Sequence, residues 1–132
     1  MNAPPKPAPA VNNLAARLVH AVVALTFLAM AAVQLNDPDP VYWTAVYCAV
    51  AVVPAARVVG SQLSTTSVIA FGMVLAGLLI SWPGFLDYLG SGDYSAIGSE
   101  MTVEKPYVES AREFLGLLIA AICLMFYART EK

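Results

Sequence analysis

Asn36, Asp37 and Asp39, interleaved with Pro38 and Pro40, set an amide and two carboxylates where one apolar run stops and the next begins. Such a cluster is either a rigid turn or a site. Its oxygens suit hydrogen bonding to a neighbouring element or coordination of a hard cation. A second group opens the last apolar run: Glu109, Arg112, Glu113 and Gly116. Helical residues three and four apart share a face. Glu109, Glu113, Gly116 and Ala120 therefore form one stripe, carboxylates at its mouth and small residues deeper in. Small residues let a neighbouring helix approach closely, so the stripe should face the bundle interior. Gly72 and Ala76 on the third run are the matching small pair.

The elements that must position these groups are membrane helices. The chain has 132 residues, 59% hydrophobic and only 12% charged, against about 25% charged in a soluble domain. Its mean hydropathy is +0.69. The net charge of −2 with no basic block argues against a nucleic-acid partner. Four runs, about 14–35, 41–59, 64–82 and 107–128, are long enough to cross hydrocarbon as helices. The fold class is an all-α, four-span membrane bundle. Asn13 and Asp39 stand at N-cap positions of the first two helices, and Pro40 opens the second, where its missing N–H costs nothing. Pro54 should kink that helix, and Pro83-Gly84 should end the third. Residues 1–13 read as a Pro-rich disordered tail, 83–106 as a long connection and 129–132 as a short tail. The pair Ala29 and Ala31 resembles a peptidase site, but the first run is too long for a signal peptide.

Lys6, Arg17, Arg57, Arg129 and Lys132 fall at one set of span ends, Lys105 and Arg112 at the other. Positive residues concentrate on the cytoplasmic side, so both termini should lie there. The Asn-Asp-Pro-Asp-Pro turn and the 83–106 connection then share the outer side. Tyr42, Trp43, Trp82, Phe85, Tyr88 and Tyr94 suggest an aromatic belt at that interface, with Trp43 anchoring the second helix.

Two readings of the polar groups stay open. In one, Arg112 pairs with Asp37, Asp39 caps the second helix, and the cluster latches the bundle or docks a partner. In the other, Asp37, Asp39, Glu109 and Glu113, with the Asn36 amide, hold a hard divalent cation or small polar ligand, although Arg112 counts against a metal. No cofactor is otherwise implied. Cys48 and Cys123 read as small core residues, and the scattered methionines as packing. His20 more naturally bonds a neighbouring helix than binds a ligand. Hydrolytic motifs are lacking, so the chain leans toward a non-enzymatic reading, with acid–base catalysis by a carboxylate dyad at Asp37 and Glu113 left open as the alternative.

At Gln34-Leu35-Asn36-Asp37-Pro38-Asp39-Pro40 with Trp43 and Tyr47, and at Glu109-x-x-Arg112-Glu113-x-x-Gly116-Leu117, the chain resembles the transmembrane protein 220 family. The resemblance implies a small multi-pass membrane protein without an established activity. It implies Asn36, Asp37, Asp39, Trp43, Arg112 and Glu113 as a shared site. Beyond the bilayer, a membrane-protein partner, a second copy, or a place as accessory subunit of a larger complex is compatible with the chain.

Overall fold

The computed structural model describes residues 14–98 and 105–130. Asn13, the 1–13 tail, Glu100, Glu104 and Met101 lie outside the described residues. Among those described there is no strand. Helix α1 spans Leu14–Val33 and continues as a 3-10 turn, Gln34–Asn36. Helix α2 spans Pro40–Val58, α3 Ser64–Ser91 and α4 Pro106–Thr130, with a 3-10 segment Tyr94–Gly98 before α4. All four helices are long and apolar enough to cross a membrane.

The helices form two antiparallel hairpins, α1–α2 and α3–α4, packed more extensively within each pair than between pairs. Each helix buries only one stripe. In α1 it is Ala24, Phe27 and Ala31; in α2 it runs through Trp43, Val46, Tyr47, Val50 and Pro54. The remaining faces leave large apolar side chains uncovered, such as Leu79 at 77% and Leu25 at 63% exposure. Helices apolar on every face but buried on one stripe are suited to lipid. Cys48 belongs to an exposed face, while Cys123 is half-buried; both are free thiols.

Pro83-Gly84, expected from sequence to end the third helix, lies inside it, so the connection shrinks to 92–105. The apolar pattern continues beyond the proline, and Phe85 stacks on Phe114 with ring centroids 4.2 Å apart. Pro83 has no N–H to give the carbonyl of Leu79, four residues earlier. Proline is tolerated in such helices because neighbouring groups satisfy the backbone it disturbs. The helix ends at Gly92, whose φ of +71° favours a residue without Cβ.

The aromatic belt is corrected in the same way. Trp43 is 5% exposed and Tyr88 7%, so both are core residues rather than interfacial anchors; Trp82 and Tyr94 remain on the surface. Trp43 shares the buried stripe of α2 with Tyr47, one turn on, and that geometry overrides its chemical preference for an interface. Gly72 is also misassigned as a packing residue, since nothing approaches within 4 Å of where its Cβ would stand. The close approaches occur at Gly77 against Leu117, Gly84 against Ser110, and Gly116 against Tyr47.

A side chain at Gly84 must therefore displace the α4 backbone around Ser110, whereas one at Gly72 meets open space. Gly84→Val is expected to lose about 1–3 kcal/mol and to lower the melting temperature in detergent. Gly72→Val is expected to leave it nearly unchanged. Equal melting temperatures for the two variants would contradict this packing.

Candidate functional site

The two hairpins meet around a cavity of about 250 Å³ lined by Met30, Val33, Gln34, Asp37, Tyr47, Glu109, Arg112 and Glu113. Asp37 reaches it from the α1–α2 turn, where its N–H donates to the Gln34 carbonyl at 3.0 Å and closes the 3-10 turn. Glu109 and Glu113 reach it from the first two turns of α4, one above the other on the helix face that continues into buried Gly116 and Ala120. The inward stripe read from sequence is thus the stripe observed.

One carboxylate oxygen from each of Asp37, Glu109 and Glu113 lies within 4.8 Å of the other two, and all three residues are half-buried. Burial pushes the Asp37 carboxyl above the usual carboxylate range. Gln34 Oε1 is buried and has no hydrogen-bond partner among the described residues. A buried acceptor without a donor is costly and calls for a reason. Tyr47, 1% exposed, closes the cavity toward the core, where its hydroxyl occupies the space opened by Gly116.

Asp37, Glu109, Arg112 and Glu113 are thus brought together, but Asn36, Asp39 and Trp43 are not. Asn36 and Asp39 are exposed. Asp39 occupies the N-cap position of α2, yet its side chain makes no capping bond, because φ −118° and ψ 62° turn it away from the first amides. With Trp43 it lines a separate open groove between α2 and α3. The Arg112–Asp37 ion pair is also absent among the described residues. Arg112 Nε donates instead to the Ile97 carbonyl at 2.7 Å and ties the 3-10 segment to α4. Lys105 pairs with Asp93 at 2.5 Å, and this bond holds the Asp93 carboxyl below its usual range. Gln34 and Tyr47 were not among the candidate site residues. The legible signal was Gln34 three residues before Asp37, which places both on one face of a helical turn.

A second polar group closes the opposite end. His20 Nδ1 and the Tyr127 hydroxyl are hydrogen-bonded at 2.6 Å, the inter-helix role expected of that histidine. An Arg57 terminal nitrogen donates to the Tyr127 carbonyl at 3.3 Å and to Thr130 Oγ1 at 3.4 Å. Arg17 Nε donates to the Val58 carbonyl at 2.8 Å. These cations satisfy carbonyls at helix C-termini, where positive charge is favoured.

A profile of the family described as Transmembrane family 220, helix, matches residues 26–129, which include both polar blocks. Comparison with the curated proteins and with the solved structures returns no match.

The raised titration of Asp37 has a definite sign. A carboxyl whose folded pKa exceeds its unfolded value contributes stability below the unfolded pKa, and that contribution disappears as pH rises through the folded one. In chelator, the melting temperature should therefore rise as pH falls from neutral toward the carboxylate range. Asp37→Asn should be the more stable protein at neutral pH, with its advantage shrinking in acid. A variant less stable than the parent at neutral pH would contradict the assignment.

Proposed function

The chain belongs to Transmembrane family 220, a membrane family of unknown function, and we propose that it is a non-enzymatic multi-pass membrane protein that binds a hard divalent cation between its hairpins. Asp37, Glu109 and Glu113 supply the charged oxygens and Gln34 Oε1 a neutral one. In this reading both termini are cytoplasmic, because Arg17, Arg57 and Arg129 gather at their end of the bundle, and the cavity opens toward the outer side.

The observation that carries the reading is the meeting of three carboxylates on one cavity that is also lined by Gln34, whose buried Oε1 has no partner among the described residues. Three atoms no more than 4.8 Å apart share a centre within about 2.8 Å of each (side over √3). Calcium–oxygen bonds run to roughly 2.3–2.6 Å, so a small contraction completes the geometry, whereas magnesium at about 2.0–2.1 Å demands more. Arg112 then ceases to be an objection. Three carboxylates, one guanidinium and one divalent ion together are neutral, which suits a half-buried cavity. The latch reading loses its central contact, because Arg112 Nε is bonded to Ile97 rather than to Asp37.

The test is calorimetry and thermal melting of the detergent-purified full chain, stripped with chelator and then titrated with calcium, manganese or magnesium. Calcium should bind and raise the melting temperature; at 100 times its Kd the gain is about 2.7 kcal/mol. Glu113→Gln should leave the stripped protein folded and remove the response. No binding of any of the three ions at millimolar concentration would end this reading.

A further inference from the structure

We infer that the seam between α3 and α4 takes up an acyl chain of an anionic phospholipid at the end of the bundle that carries the termini, with the headgroup held near Arg129. This groove lies at the opposite end from the three carboxylates, so it stands or falls independently of the cation reading.

The groove is a cavity of about 280 Å³ between the first two turns of α3, Ser64 to Phe71, and Leu124, Met125 and Ala128 near the end of α4. Backbone approach explains why the seam is open here. Farther along, α3 and α4 are drawn together where Gly77 meets Leu117 and Gly84 meets Ser110. Gly72, the glycine nearest the start of α3, faces open space instead. Leu124, 2% exposed, closes the floor of the groove, and Val68 and Met125, 72% and 45% exposed, form its open edges. Ser67 Oγ donates to the Leu63 carbonyl at 3.0 Å, so its hydroxyl is already satisfied and the groove is apolar below its mouth. From Ser64 to Phe71 the helix rises about 10 Å, which stays within one leaflet of a roughly 30 Å hydrocarbon layer. Both walls belong to helices apolar enough to cross a membrane. The solvent at the open side is then lipid, and a hydrocarbon chain matches the lining.

The mouth is polar, and its charge is of one sign. Ser61, Gln62, Ser64 and Thr65 are exposed there. Arg129 is exposed one turn beyond Met125, and helical residues four apart share a face. Arg57 is held on the Tyr127 carbonyl and Thr130 Oγ1 of the same last turn. Among the described residues no carboxylate stands at this end; Asp37, Asp39, Asp87, Asp93, Glu109 and Glu113 all lie at the other. Helix α3 also begins here without a side-chain cap, because Leu63 has no polar group to offer. The amides of an uncapped first turn add to the preference for an anion. A headgroup with net negative charge complements this mouth, and a zwitterionic one, which brings its own cation, does so less well.

Native mass spectrometry of the delipidated full chain tests this, with phosphatidylglycerol and phosphatidylcholine of identical acyl chains as probes. Phosphatidylglycerol should bind at a single site, tighter than phosphatidylcholine by about fivefold for one arginine near the headgroup. Arg129→Gln should abolish that preference, whereas Arg17→Gln, on the α1–α2 hairpin, should keep it. Val68→Trp fills the groove from an exposed position and should weaken the binding of both lipids; Met125→Trp repeats the test from the facing edge. Val22→Trp, at a position on α1 that is 63% exposed, should bind like the parent. Melting temperatures of the same samples report that the variants are folded. Equal affinity for the two lipids, or binding that survives both tryptophans, would overturn the lipid site. Displacement of the lipid by inorganic phosphate would overturn it in favour of a free anion at the mouth. A dimer of the parent chain that Val68→Trp dissolves would overturn it in favour of a second copy on the seam.

Discussion

Repulsion among three carboxylates in one small, half-buried volume is the interaction to which the rest of the molecule answers. At an effective dielectric near 20, a pair of like charges about 4–5 Å apart costs roughly 3–4 kcal/mol, less where water penetrates. Asp37, Glu109 and Glu113 make three such pairs when all are ionised. Bringing them together therefore calls for compensation. Compensation takes the form of protonation, a cation, or a guanidinium. The described guanidinium at the cavity, that of Arg112, directs its Nε to the Ile97 carbonyl.

The convergence follows from backbone approach rather than from the charged groups themselves. Gly77, Gly84 and Gly116 remove the side chains that would hold the helices apart, and Leu117, Ser110 and Tyr47 fill the space. Gly116 stands three residues after Glu113, so the same helix face that admits Tyr47 also turns the carboxylate inward. The buried stripe of α2 draws Trp43 and Tyr47 into the core, which seats the α1–α2 turn over the start of α4. At the opposite end, arginine and histidine side chains bond carbonyls and the Tyr127 hydroxyl. Packing energy and end-capping thus hold the helices in the register that crowds the acids.

The four spans were legible because apolar runs of this length admit almost no other structure. The inward face of α4 was legible from the spacing of Glu109, Glu113, Gly116 and Ala120. The end of the third helix was not. A Pro-Gly pair is a breaker in isolation, and only the stacking of Phe85 on Phe114 reveals why the helix continues through it. Nor was the choice among glycines: Gly72 and Gly77 look alike in sequence, and the rotation of α3 against α2 and α4 decides which one packs. The turn was half legible. Its polar residues marked the locus, but the 3-10 segment Gln34–Asn36 rotates Asp37 inward and Asn36 and Asp39 outward, a detail that residue types alone do not specify. Gln34 gained its place only when it was found lining the cavity of the acids with its oxygen buried.

The most direct test of the central claim is a crystal structure of the full chain grown with manganese, with anomalous differences recorded at the manganese edge. The account predicts a peak between Asp37, Glu109 and Glu113, within bonding distance of Gln34 Oε1. A site without anomalous density, with the Arg112 guanidinium lodged among the three carboxylates, would contradict it and return the cluster to a purely structural role.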